Sequence, residues 1–323
     1  MIIRKHGAVR ALAVLLALAA LGLLVACSTG GRQVEKRVVK IGYLPITHAA
    51  PLYIEDEFGK NVGFERIELE LIKFGSWPDL MDALNTGRID GASVLIELAM
   101  RAKEQGIDLR AVALGHKDGN VVVVAPDINS AEELSGKNFA IPHKFSTHNI
   151  LLYQMLKQSG MAYSDVNVIE LPPAEMPAAL AENRIAGYVV AEPFGAKSVV
   201  INKGKVLFQS EELWIDSVDC ALVLRNELIT EYPEATQELV DRYVEAGKKA
   251  EQKDEEAKRI VGKYMNVEDE VLELSLQWIK YDELRLDEAS YEILREYLIE
   301  MGLSERPPTF EEFVDNRFID EAL

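Results

Sequence analysis

The stretch NFAIPHKFSTHNILLYQMLKQSG, residues 138–160, contains a short apolar run, a polar loop and a longer apolar pattern. The first run predicts a strand, and the spacing of apolar residues in the second predicts a helix. Ser146 stands directly before the helical pattern, where a side-chain oxygen can cap the first turn. Gly160 marks the end of the helix. The stretch therefore predicts one strand–loop–helix step of an α/β fold.

Similar steps recur on both sides of this stretch. From residue 38 to residue 225, apolar runs typical of strands alternate with helical patterns, one of which begins at a second predicted N-cap, Ser76. Such alternation predicts parallel-rich sheets flanked by helices, and two successive runs predict two lobes. The segments VVVVAP and DCALVLR are the expected crossings between the lobes. From Glu227 onward the pattern predicts only helices, a tail that we expect to pack on the first lobe.

The amino terminus has the pattern of an export signal. Basic residues precede the apolar run ALAVLLALAALGLLV, which ends in Leu-Val-Ala-Cys at Cys27. This ending resembles the lipobox of bacterial lipoproteins, in which the cysteine becomes the lipidated first residue. We therefore expect a lipoprotein signal peptide over 1–26, a tether carrying a palmitate-type lipid over 27–37, a first lobe from 38–120 plus 222–323, and a second lobe from 121–221.

Composition limits the functional classes. The formal net charge of −18 disfavours binding to nucleic acid, because an acidic surface repels phosphate. The chain has two cysteines, so a lipidated Cys27 leaves Cys220 without an intramolecular disulfide partner.

Histidines are concentrated in the predicted loops after strands. Ligands of open parallel sheets bind beyond the carboxyl ends of the strands. Of the five histidines, His48, His116, His143 and His148 all fall in such loops. His148 lies in the first turn of its helix, where the helix dipole disfavours an imidazolium, so we expect a neutral ring that can donate a hydrogen bond or bind a metal.

Further candidates lie at helix starts and at one strand end. They offer hydroxyl groups, an indole face or a carboxylate, and the complete predicted ligand-binding set is His48, Ser76, Trp77, Ser93, His116, His143, Ser146, His148 and Glu192.

Several segments carry a family resemblance in the same order along the chain. GYLPITHAAPLYI, FGSWPDLMDALNTGRIDGASV, FSTHNILLYQML, PPAEMPAAL and VAEPFGAKSV resemble the nitrate/sulfonate/taurine/bicarbonate-type substrate-binding proteins of ABC importers. The resemblance implies a two-lobed type II periplasmic-binding fold with the ligand captured between closing lobes. It also implies a ligand contact for His148, at the matching position of the Ser-Thr-His-Asn segment.

The ligand itself has several candidates. A nitrate-, sulfonate- or bicarbonate-like anion is the first expectation from the resemblance. Zinc or another transition metal is the alternative, since imidazoles and a carboxylate are zinc ligands, with His48, His143, His148 and Glu192 as the set. A pyrimidine- or flavin-type heterocycle is the third. A pyrimidine-synthase-like enzyme is disfavoured because that branch has a cysteine-rich iron motif that this chain lacks, so we expect no enzyme and no required cofactor.

The resemblance also implies partners and a location. We expect an extracytoplasmic, lipid-anchored monomer that delivers its solute to an ABC permease and ATPase. The lobes are expected to close by bending near residues 121–125 and 219–225.

Overall fold

The computed structural model describes residues 36–323, and the predicted signal peptide and Cys27 lie outside the described residues. The described strands form two five-stranded sheets and one two-stranded sheet. Both large sheets contain parallel pairs and have helices between their strands, which confirms the predicted α/β class.

The first sheet has the strand order β2-β1-β3-β11-β4. Its strands are β1 (Arg37–Tyr43), β2 (Ile67–Lys73), β3 (Gly91–Leu95), β4 (Leu109–Leu114) and β11 (Cys220–Arg225). Strand β1 is parallel to β2 and β3, whereas β11 runs antiparallel between β3 and β4. Cys220 therefore lies opposite Leu95, and Ala221 opposite Leu114. The start of β11 thus meets the carboxyl ends of β3 and β4.

The second sheet has the order β10-β6-β9-β7-β8. Its strands are β6 (Asn120–Val124), β7 (Asn138–Ile141), β8 (Asn167–Glu170), β9 (Gly187–Ala191) and β10 (Lys205–Gln209). Strand β7 is parallel to β8 and β9, and β6 is antiparallel to β9 and β10. Asn120 begins β6 opposite Ala191, the last residue of β9. The sequence did not predict β10.

The helices follow the predicted alternation. They are α1 (Ala50–Val62), α2 (Trp77–Asn85), α3 (Ile96–Glu104), α4 (Thr147–Gln158), α5 (Met176–Ala181), α6 (Phe194–Val200), α7 (Ser210–Leu213), α8 (Asn226–Glu231), α9 (Pro233–Gln252), α10 (Glu255–Met265), α11 (Asp269–Gln277), α12 (Glu288–Glu300), α13 (Phe310–Phe313) and α14 (Arg317–Ala322). Both predicted N-caps are confirmed, because Ser76 Oγ accepts from the Asp79 amide and Ser146 Oγ from the Asn149 amide.

The C-terminal region is not entirely helical, so that expectation was wrong. Strand β12 (Ile279–Lys280) pairs antiparallel with β5 (Lys117–Asp118). Two residues carry no readable strand pattern of their own, and the pairing arises only because the chain returns to the loop after β4. Helix α9 packs against α1 and α11 against α6, so the tail contacts helices associated with both large sheets.

Within residues 36–323, none of the helices has both the length and the apolar character that a membrane span requires.

Candidate metal centre

Three of the four loop histidines meet at the carboxyl edge of the first sheet. His48 lies in a short 3₁₀ turn after β1, and His116 follows β4. Their rings stack with centroids 3.5 Å apart. His148 comes from the first turn of α4, and its ring is nearly parallel to that of His48 at a centroid distance of 6.3 Å. All three side chains are buried.

Asp219 and Cys220, at the start of β11, complete this group. His48 Nδ1 is 3.2 Å from Asp219 Oδ2 and 3.3 Å from Cys220 Sγ. His116 Nε2 is 3.6 Å from Asp219 Oδ2. One potential ligand atom from each of His48, His116, Asp219 and Cys220 lies within 4.8 Å of the others. We call these four residues the metal quartet.

The spacing of the quartet fits a tetrahedral metal. With bonds of about 2.0–2.3 Å, a tetrahedral zinc ion holds its ligand atoms about 3.3–3.8 Å apart. The three measured separations, 3.2, 3.3 and 3.6 Å, lie at or near that range. Two imidazoles, a thiol and a carboxylate are also ligand types that zinc accepts.

A glycine lets the strands that carry the quartet approach one another. The Gly115 amide donates to the Cys220 carbonyl at 2.7 Å. A Cβ atom on Gly115 would lie 2.8 Å from the His48 carbonyl oxygen, which is too close for any side chain. Gly115 therefore brings the His48 turn, the His116 loop and the start of β11 together.

His116 is held in one tautomer. Its Nδ1 lies 2.7 Å from the Asp118 carbonyl oxygen, which can only accept a hydrogen bond. Nδ1 must therefore carry a proton, and Nε2 faces Asp219. Such an outer contact orients metal-binding histidines and fixes their tautomer.

Asp219 is a buried carboxylate with polar neighbours. Asn120 Nδ2 donates to its Oδ2 at 2.6 Å, whereas Oδ1 has no hydrogen-bond partner among the described residues. Burial raises the pKa of Asp219, but His148, His48 and His116 together lower it below its usual range. Burial lowers the pKa of His48, and the neighbouring His116 lowers it further. Burial also lowers the pKa of His148. The arrangement favours an ionised Asp219 beside neutral His48 and His148 rings.

A second carboxyl group, Glu97, is buried in surroundings that favour its neutral form. Burial raises the pKa of Glu97, and Asp219 raises it further. Thr147 Oγ1 lies 2.5 Å from Glu97 Oε1 and 2.7 Å from the Val218 carbonyl oxygen. Thr147 has only one hydroxyl proton, so both contacts are hydrogen bonds only if protonated Glu97 donates to Thr147. These hydrogen bonds join α3, a helix next to the first sheet, to α4, a helix next to the second.

The remaining predicted residues are distributed more widely. His148 is buried, and neither ring nitrogen has a partner among the described residues. His143 is only partly buried, and its Nδ1 accepts a hydrogen bond from the Phe145 amide at 3.0 Å. Ser146 caps α4, and Ser76 caps α2.

Trp77, Ser93 and Glu192 are buried. Glu192 Oε2 accepts from the Ala196 amide and Ser275 Oγ, and burial raises the pKa of Glu192 to about 8. Of the predicted metal ligands His48, His143, His148 and Glu192, only His48 belongs to the quartet that the described residues form. His143 is held by its own loop and Glu192 by the start of α6, which accounts for the difference.

Sequence reasoning missed Asp219 and Cys220 as site residues. They stand at the start of DCALVLR, whose apolar pattern predicts only a strand that crosses between the lobes. A polar residue and a cysteine at the head of an otherwise apolar strand were the available signal.

Comparison with known proteins identifies the family, because residues 32–265 match the NMT1-like family. The chain belongs to the NMT1-like family. The nitrate/nitrite binding protein NrtA of Nostoc is 30% identical over 262 residues, covering 73% of this chain and 60% of NrtA. The nitrate import ATP-binding protein NrtC of Synechocystis is 28% identical over 240 residues, covering 67% of this chain and 35% of NrtC. The chain thus spans between one third and two thirds of these relatives.

Solved structures extend the comparison. A ligand-binding component of an ABC-type import system from Staphylococcus aureus, with zinc bound, is 39% identical with a TM-score of 0.85. The match covers 89% of this chain and 99% of that chain. The periplasmic nitrate-binding protein NrtA of Synechocystis shares the fold at 20% identity, with a TM-score of 0.77 and coverage of 89% and 88%. The predicted resemblance to ABC-importer binding proteins is confirmed.

Proposed function

We propose that this chain is the solute-binding component of an ABC importer and that its cargo is a divalent transition metal ion, with zinc the leading candidate. The observation that carries the proposal is the quartet His48, His116, Asp219 and Cys220, whose ligand atoms cluster within 4.8 Å. The zinc-bound relative from Staphylococcus aureus supports the same class of cargo.

The charge of the site supports a cation over an anion. In the described part of the chain, no lysine or arginine forms an ion pair with Asp219 or Glu97. A nitrate-like anion would add negative charge beside the buried Asp219 carboxylate, which is unfavourable at low dielectric. A divalent cation on an Asp219 carboxylate and a Cys220 thiolate, with two neutral imidazoles, leaves a buried site with no net charge.

The thiol of Cys220 influences which metal fits. Burial raises the pKa of Cys220, and Asp219 and Glu97 raise it further, so the free thiol is protonated near neutral pH. A coordinating metal displaces that proton. Thiolate and imidazole ligands suit zinc and copper, whereas magnesium and calcium prefer an oxygen-only shell. The quartet therefore favours a borderline or soft ion.

A small oxyanion is the second candidate. Sequence similarity to the nitrate/nitrite binding protein NrtA favours it, as does the unpartnered His148 ring, one nitrogen of which can donate a hydrogen bond. An oxyanion requires either a protonated, uncharged Asp219 or a cationic side chain close to the site, and for this reason it ranks below a metal.

The proposal includes location and mechanism. The lobes 38–120 plus 222–323 and 121–221 close on the cargo, bending near residues 121–125 and 219–225, and deliver it to a permease and ATPase. The protein acts by binding rather than catalysis, as a monomer outside the cytoplasmic membrane. Cys27 carries the lipid that anchors it there.

Thermal melting of the full-length protein tests the cargo. Zinc should raise the melting temperature and a chelator should reverse the rise, while magnesium, the matched control cation, should leave it unchanged. A ligand at a hundredfold excess over its Kd stabilises the folded state by about 2.7 kcal/mol. A rise with nitrate or bicarbonate that is indifferent to chelator would support the oxyanion instead, and no response to zinc would contradict the metal proposal.

A further inference from the structure

A short C-terminal segment runs along the loop that carries His116. Strand β12 pairs with β5 in the register Ile279 to Asp118 and Lys280 to Lys117. A few residues later, the Leu284 carbonyl accepts a hydrogen bond from the Leu114 amide at 2.7 Å. We call residues 279–284 the brace. The brace therefore contacts the residues just before His116 and those just after it. Asp118, whose carbonyl fixes the His116 tautomer, is part of this pairing.

The same brace reaches the His48 turn. Tyr281 is buried, and its hydroxyl donates to the Thr47 carbonyl at 2.8 Å. Thr47 is the residue before His48 and begins the same 3₁₀ turn. Burial raises the pKa of Tyr281 well above its usual value, so the hydroxyl keeps the proton that it donates. One segment thus contacts the backbone next to both first-sheet histidines.

The brace is itself anchored to the body of the protein. Its Tyr281 amide donates to Glu251 Oε2 at 2.6 Å, and Lys253 Nζ donates to the Ile279 carbonyl at 2.6 Å. Ile279 also packs closely on Gly119, where a Cβ atom would lie 2.8 Å from the Ile279 Cβ. These contacts attach residues 279–281 to the end of α9 and to the loop before β6. The position of the brace relative to the first sheet is therefore fixed.

We propose that Tyr281 is a positioning residue for metal binding, holding the His48 turn in register with His116 through the Thr47 carbonyl. The inference rests on the proposed metal function. Binding sites gain affinity when supporting contacts fix their ligands before the metal arrives. Without the hydroxyl, the Thr47 carbonyl loses this partner and the His48 turn can shift relative to Asp219 and Cys220.

Tyr281→Phe tests the proposal, with Tyr291→Phe as a matched control. Tyr291 is also buried in the C-terminal region and its hydroxyl also donates to a backbone carbonyl, that of Pro308 at 3.0 Å. Both variants lose one hydroxyl and one buried hydrogen bond, so their costs in stability should be similar. Losing an outer contact to a metal ligand typically weakens binding about 10–100-fold. We expect zinc affinity to fall by about tenfold in Tyr281→Phe and to stay unchanged in Tyr291→Phe.

The visible absorption of bound cobalt(II) provides a second measurement, which a change in the stability of the fold does not alter by itself. This absorption reports the geometry and ligands of the bound ion, so Tyr281→Phe should alter the spectrum of the full-length protein saturated with cobalt, and Tyr291→Phe should not. Equal affinities and identical spectra in the two variants would overturn the positioning role. If the unmutated protein binds neither cobalt nor zinc, the proposed metal function fails instead, which is a distinguishable result.

Discussion

His116 and His148 are equally buried, but their rings are held in different ways. Each side chain is 1% exposed. The His116 ring is fixed by the Asp118 carbonyl on one side and faces Asp219 on the other. Neither nitrogen of His148 has a hydrogen-bond partner among the described residues. Burial alone therefore does not distinguish a histidine ring that neighbouring groups hold in place from one whose nitrogens have no such contacts.

The two sheets differ in the same way, because neighbouring groups hold the histidines at the first sheet but not the histidine at the second. The first sheet contributes His48 and His116, which the brace holds, and β11 brings Asp219 and Cys220 beside them. The second sheet contributes His148 on α4, the residue after Thr147, whose hydroxyl contacts Glu97 and the Val218 carbonyl. We infer that the first sheet presents most of the binding site in advance and that the second adds its group when the lobes close.

The largest expected effect on zinc affinity comes from Asp219, at the edge of the first sheet. Asp219→Asn removes one of the two anionic ligands of the quartet, the other being the Cys220 thiolate, while keeping the size of the side chain and its contact with Asn120. We expect zinc affinity to fall by more than the about 10–100-fold typical of outer contacts. Isothermal titration calorimetry on the full-length protein measures the loss.

Glu192→Gln is the matched control, because it also converts a buried carboxyl into an amide. Glu192 has a pKa of about 8, so it is largely neutral at pH 7, and it lies outside the quartet. The affinity of the Glu192→Gln variant for zinc should equal that of the unmutated protein. Equal losses in both variants would contradict the assignment of Asp219, and a loss in Glu192→Gln alone would restore Glu192 as a ligand.

The features predicted correctly from the sequence were mainly those with local signals. The alternation of strands and helices and the caps at Ser76 and Ser146 depend on neighbouring residues, and the structure confirms them. Cys220 faces Leu95 only because β11 inserts antiparallel between β3 and β4, a long-range pairing that periodicity does not reveal. His143 shows a different limit: its position in the loop predicts a ligand contact, whereas the hydrogen bond that its Nδ1 accepts from the Phe145 amide is visible only in the structure.

An intermediate effect is expected for the histidine of the second sheet. His148→Ala removes two unpaired nitrogens that can contact the cargo, and should weaken binding by about 1.5–3 kcal/mol, or one to two decades in affinity. His143→Ala is the matched control and should leave affinity unchanged, because that side chain contacts its own loop. The same titration measures both variants. A larger loss in His143→Ala than in His148→Ala would reverse the comparison between these two residues.

The smallest effect concerns the hydrogen-bond chain that joins the sheets. Thr147→Val removes the hydroxyl that contacts both Glu97 and the Val218 carbonyl while keeping a β-branched side chain. Of the two hydrogen bonds lost, only the one to Glu97 joins α3 to α4. One hydrogen bond contributes about 0.5–1.5 kcal/mol, which corresponds to roughly two- to tenfold in the closed population and in zinc affinity. X-ray scattering at saturating zinc should show a larger radius for this variant than for the unmutated protein.

The substitution Glu97→Gln tests whether the Glu97 side chain is protonated or ionised. If Glu97 is neutral and donates to Thr147, the amide of glutamine can donate in its place, and both the radius and the affinity should stay close to those of the unmutated protein. An ionised Glu97 would instead attract the cation at short range, so its loss would weaken binding more than Thr147→Val does. That result would show a third negative charge at the site, in addition to those of the Asp219 carboxylate and the Cys220 thiolate, so a divalent ion would leave the bound site with a net charge of −1.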